Sequence, residues 1–193
     1  MPRLTELPWL LVIWSAHRRV VEGCDVRVAE SGADVDEVFV RVKEALRLIV
    51  RYGPRFHARL RRDVKRLLFN DMRGANYIAG LQTCRVGVDY PPLELAMMIV
   101  HEATHARLSK AGFKYVVRCR ERIERMCVEA EITFAERVPG SEAAISRVRG
   151  MLATQWWTSE HIMDARVKEL AERGVPTWLV TILRWVGSRR RTR

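Results

Sequence analysis

The chain is short of lysine and of acids. Only five of its 34 basic residues are Lys, and 23 Asp+Glu leave a formal net charge of +11. It is also short of cysteine pairs. Cys24, Cys84, Cys119 and Cys127 include no CxxC, which excludes the common cysteine-based zinc motifs. Cys119 and Cys127 are too far apart to serve as a local zinc pair, so all four read as small packing residues, reduced in a cytoplasmic setting. No apolar run reaches the length of about 18 residues needed to cross a bilayer. Leu7–Trp14 follows Glu6 and lacks a small-residue cleavage site, so it does not read as a secretory leader. Internal repeats and low-complexity segments are absent as well.

A hydrophobic share of 48% over 193 residues is enough to build a core without disulfides. Residues 1–193 read as one domain, with a helical C-terminal extension from about 141. The basic excess admits a polyanionic partner, either nucleic acid or an anionic membrane surface. The segments that would meet it are a basic helix over Arg55–Arg73 and the run Arg189-Arg190-Arg191-Thr192-Arg193, with Trp178 and Trp185 nearby for peripheral membrane contact. Because the charge is scattered, ordinary solvated faces are the plainer reading.

Val20–Ala29 alternates loosely and predicts a strand. Asp34 and Asp36 precede Val38, Val42, Leu46 and Ile49 at helical spacing, and Gly53-Pro54 ends that helix. Arg55–Phe69 reads as a second helix. Asn76–Asp89 carries Gly80 and Gly87 among Tyr77, Ile78, Leu81, Val86 and Val88, a pattern for a hairpin. Leu93–Lys110 is the clearest helix, followed by one over Lys114–Val138 and another from Ser141 through Trp157. The expected class is α+β, mostly helical, with a small sheet or hairpin preceding the Leu93–Lys110 helix.

That helix carries His101-Glu102-Ala103-Thr104-His105. Residues four apart share a helix face, so two imidazoles can reach one metal ion. Glu102, about 100° round the helix, can take a proton from a water on that ion without ligating it. With this chain's His and Glu content, a chance HExxH is expected about once in a hundred such chains. Leu95 to Val100 are apolar and imply a buried helix, where unpartnered polar groups cost several kcal/mol. A bound metal removes that cost.

A catalytic zinc needs a third protein ligand. The HExxHxxGxxH pattern is excluded, since Leu108 and Ala111 stand where Gly and His would be required. The third ligand is then a Glu of the following helix. An antiparallel return places residues near 120–127 level with the His pair. Glu124 ranks first, ahead of Glu131 and Glu129, and then Glu121. His/His/Glu ligation favours zinc. Tyr90, Tyr115 and His161 are candidates for stabilising an oxyanion; His17 and His57 read as surface residues.

The strand-bearing segment, the HEATH helix and the Glu-bearing return helix together resemble the zincin metallopeptidases. Within them they resemble the small gluzincins, or minigluzincins, compact relatives of thermolysin. Arg122-Ile-Glu124-Arg-Met-Cys127 and Glu131-Ile-Thr-Phe134 are similar to segments of small bacterial proteins with HEATHARL-type motifs. The resemblance covers about residues 74–137. It implies a zincin-like fold and a substrate-binding edge strand within Ala79–Val88. Thermolysin-like gluzincins carry an Asp four residues after the ligand Glu; here that position is Val128. The expected activity is zinc-dependent hydrolysis of a peptide or protein. The alternatives are an inactive or regulatory zinc-binding domain, and a basic protein that binds nucleic acid or a membrane surface.

Overall fold

The structure, a computed structural model, describes residues 7–29 and 34–154. Helix α1 (Leu7–Ser15) leads into strands β1 (His17–Val21) and β2 (Cys24–Val28). Helices α2 (Val35–Tyr52) and α3 (Pro54–Asp63) follow. Strands β3 (Arg66–Asn70), β4 (Ala75–Ile78) and β5 (Thr83–Gly87) come next, then α4 (Pro92–Lys110), α5 (Val117–Ala135) and α6 (Glu142–Ala153). The class is α+β. The five strands form one mixed sheet in the order β1-β2-β3-β5-β4. β2, β3 and β5 run parallel, and the outer pairs β1–β2 and β4–β5 are antiparallel.

Both faces of the centre are covered. In β3, Leu67 and Phe69 join the main core, while Leu68, on the opposite face, packs with Ile13 and Ala16 at the end of α1 and with Leu81. The main core lies between the sheet and α2 and α4. α4 is buried on almost every side, from Leu95 to Leu108, so it is the central post of the fold. α5 packs along α4, and α6 along α5.

The helix expected from Asp34 onward is α2, and Asp34 caps it by accepting from the Asp36 N–H at 2.9 Å. The single helix expected over Arg55–Phe69 is not formed: it stops at Asp63 and gives way to β3. Leu67, Leu68 and Phe69 are consecutive and all buried, which a strand between two covered faces achieves and one helical stripe does not. Val20–Ala29 is likewise not one strand but the junction of the β1–β2 hairpin, turning through Glu22 and Gly23 with positive φ.

The expected edge strand is displaced too. Residues 79–81 form a 3-10 turn, Gln82 is left-handed (φ 49°), and β5 is an interior strand between β3 and β4. The edge is β4. Gly87 makes this layout possible: a Cβ there would lie 2.1 Å from the Met72 carbonyl oxygen, where the chain crosses toward β4. No helix of the described residues is long and apolar enough to cross a membrane.

Candidate active site

α4 presents His101 and His105 on one face, with ring centroids 5.0 Å apart. The turn after Lys110 passes through Gly112 (φ 87°) and the extended residues 113–116, and α5 returns along α4. This return brings Glu124 to the His pair. Its Oε2 lies 3.3 Å from His101 Nε2 and 3.6 Å from His105 Nε2. Glu124 is 2% exposed, yet that oxygen makes no hydrogen bond among the described residues. Two imidazole nitrogens thus face one carboxylate oxygen that has no hydrogen bond among the described residues. A tetrahedron of ligands at zinc–nitrogen and zinc–oxygen distances has edges of roughly 3.3–3.6 Å. The observed spacings match, and the residues present fit a zinc ion.

The other carboxylate oxygen, Oε1, accepts a hydrogen bond from the Tyr115 hydroxyl. The Tyr115 ring meets His105 edge-on at 5.5 Å. Tyr115 therefore fixes the rotamer of Glu124, and its hydroxyl is engaged there. Burial, then this bond to a carboxylate, pushes its pKa up.

Behind His101 stands Glu131, whose Oε2 is 3.1 Å from His101 Nδ1. The Nδ1–Glu131 contact leaves Nε2 as the nitrogen turned toward Glu124 and His105, the ring orientation that metal ligation through Nε2 would require. Glu131 follows Glu124 by seven residues. Val128, at the position where gluzincins carry Asp, contributes a hydrophobic wall instead. Two helical turns and a longer side chain let Glu131 reach the same imidazole.

The electrostatics follow from burial set against close pairing of carboxylates and imidazoles. Burial alone would lower the His101 pKa, but Glu124 and Glu131 outweigh it and push it up to about 10. Burial would raise Glu124, but the His101 and His105 rings hold it well below the usual carboxylate range. Glu102 differs. It is 4% exposed, its Oε2 has no hydrogen-bond partner among the described residues, and burial pushes its pKa up despite the two imidazoles. Burial of this kind makes a carboxylate a stronger base than one in water.

His101, Glu102 and Glu131 open onto a cavity of about 450 Å³. Met97, Met98, Val128, Val148 and Met151 make it largely apolar, and Arg73, Gly74, Ala75 and Tyr90 line it at the start of the β4 edge. The Tyr90 hydroxyl accepts the Gly74 N–H at 2.7 Å. Tyr90 is thus in the cavity, while Tyr115 sits behind the His pair. His161 lies outside the described residues.

Of the other acids of α5, Glu121 is exposed and paired with Arg125 at 3.0 Å, and Glu129 is exposed. Cys127 packs with Leu108 and Ile123, in line with the sequence expectation, and it also stands near the His pair. It is fully buried, one turn after Glu124, and a donor atom from each of His101, His105 and Cys127 lies within 4.8 Å of the others. Its separation from Cys119 said nothing of this; the informative interval was the i, i+3 step from Glu124.

Comparison with known proteins finds no match for this chain among family models, curated proteins or solved structures. The resemblance to zincins rests on the motif residues.

Proposed function

We propose that the chain is a zinc-dependent hydrolase acting on peptide bonds, with His101, His105 and Glu124 as metal ligands and Glu102 as general base. One observation carries this reading: Glu124 Oε2, buried without a hydrogen bond among the described residues, lies against both imidazoles, and Glu102, whose Oε2 is likewise unbonded, lines the adjoining cavity with His101. When bound, zinc supplies Lewis acidity toward a carbonyl oxygen and toward water. Glu131 holds the orientation of the His101 ring, and Tyr115 holds Glu124. Glu102 takes a proton from the attacking water and returns it to the leaving amine. The apolar cavity receives a substrate side chain, and the β4 edge offers backbone hydrogen bonds to an extended peptide.

The test is metal content by elemental analysis, alongside turnover of a quenched fluorescent peptide mixture. Wild type is expected to carry about one zinc per chain, and a His101→Ala/His105→Ala variant none. Glu124→Ala is expected to lose zinc with its fold intact. Glu102→Gln is expected to keep zinc and lose about 10²–10⁴-fold in turnover. A folded wild type that refuses added zinc would overturn the proposal.

Cys127 favours a second reading, a closed zinc site with a regulatory or structural role. A thiolate fourth ligand would occupy the position that hydrolysis needs open. Cobalt substitution separates the two. A sulfur-to-cobalt charge-transfer band that vanishes in Cys127→Ser supports the closed site, and its absence in wild type supports the open one.

A further inference from the structure

The sheet face turned away from α4 carries a second cluster. Arg18 of β1 stands directly opposite Arg27 of β2. Arg27 pairs in register with Leu68 of β3, and Arg66, two residues before Leu68, shares that face. Asp25 lies among them. Arg18 Nε donates to its Oδ1 at 3.1 Å, and Arg27 Nε is 3.5 Å from the same oxygen. Arg27 Nη1 donates to the Ile13 carbonyl at 2.5 Å, at the end of α1. Arg66 is half-buried, and its Nε is fully buried with no hydrogen-bond partner among the described residues. Burial first, and then repulsion from Arg27, lowers its pKa.

Among the described residues, three guanidinium groups face one carboxylate, an excess of two positive charges. Like charges directly across a strand pair are destabilising, and a desolvated donor without an acceptor costs more than an exposed one. The arrangement lacks a doubly charged acceptor. Guanidinium forks match the oxygens of phosphate in charge and spacing. The Arg18 side chain is 58% exposed and that of Arg27 16%, so the cluster meets solvent at its Arg18 side.

We propose that Arg18, Arg27 and Arg66 form a binding site for a phosphate group, free or as a monoester, on the sheet face opposite the His101–His105 site. The proposal is independent of the hydrolase reading, because no residue is shared between the two sites. A dianion would accept from Arg66 and from the Arg18–Arg27 pair, and would relieve their mutual repulsion. Asp25 opposes anion binding, since its charge partly neutralises the cluster.

The experiment is calorimetric titration of the full chain with inorganic phosphate and with phenyl phosphate, ionic strength held constant with chloride. Wild type is expected to bind one phosphate per chain saturably. Arg149→Gln, on α6, is expected to bind equally. Arg66→Gln should bind at least tenfold more weakly, and Asp25→Asn more tightly. Binding of both ligands assigns the site to phosphomonoesters, and binding of inorganic phosphate alone assigns it to the free anion. The proposal is overturned if no saturable binding occurs, if Arg66→Gln binds as wild type does, or if Asp25→Asn binds no better.

Discussion

At the scale of single residues, the site is defined by what stands behind each ligand. Glu131 contacts His101 Nδ1, and Tyr115 contacts Glu124 Oε1. Neither contact moves a proton to substrate; each removes rotational freedom from a ligand. Glu131→Ala is therefore expected to weaken zinc binding about 10–100-fold, read by competition with a chromophoric chelator. Glu131→Gln keeps an acceptor for the imidazole N–H and should recover part of the loss. Equal affinity in wild type and Glu131→Ala would remove Glu131 from the site. The HExxH spacing was legible because helical geometry acts over four residues. Glu124 was legible because an antiparallel return has a fixed rise per residue. The role of Glu131 was not legible. It depends on a long side chain reaching across two helices, and the empty Asp position at Val128 only hinted that another carboxylate must stand in.

At the scale of elements, α4 had to be held at both ends for its middle to bury two imidazoles and a carboxylate. Its C-terminal end is tied to the end of α3. Lys110 Nζ donates to the Arg62 carbonyl at 2.8 Å and lies 3.6 Å from Asp63 Oδ1. Asp63 is buried, and the Arg62 guanidinium, with help from Lys110, holds its carboxyl below the ordinary value of 3.8. Folding thus favours the ionised form. The contribution is present above about pH 4 and fades as pH falls through the lower folded value. Asp63→Asn is expected to destabilise the protein by about 1–3 kcal/mol at pH 7, measured by urea unfolding. The gap to wild type should narrow in strong acid, whereas a gap independent of pH would show that the charge is not responsible. The same junction explains why sequence periodicity ran α3 on into β3. Leu60, Val64 and Leu67–Leu68 keep helical spacing across the break. What ends the helix is tertiary: β3 finds parallel partners on both sides, in β2 and β5. The edge strand was misplaced for a related reason, since alternation marks a strand but not its rank in the sheet.

At the scale of the whole molecule, the basic excess and the buried acids belong to different surfaces. Most arginines among the described residues are exposed, and pairs such as Arg19–Asp36, Arg125–Glu121 and Arg149–Glu136 join groups in water, where each contributes little. Net charge therefore said little about the fold or the site. The buried balance is the reverse: Glu102, Glu124 and Glu131 surround two imidazoles in the core. Carboxylates in low dielectric repel one another, and a divalent cation is the most direct compensation. On the proposed reading, zinc would bind the folded chain and not the dispersed ligands, so mass action would convert affinity into stability. At a free zinc concentration of 100 times Kd the gain is about 2.7 kcal/mol. For a domain of this size that is a rise in Tm of roughly 5–10 °C. Thermal unfolding with stoichiometric zinc and with a chelator should show this difference. Glu124→Gln should abolish the response to zinc and leave the chelated protein less stable than chelated wild type, because the buried imidazoles lose the carboxylate that they hold ionised. A Glu124→Gln protein that still gains stability from zinc would move the third ligand elsewhere, and Cys127 is the donor already within reach.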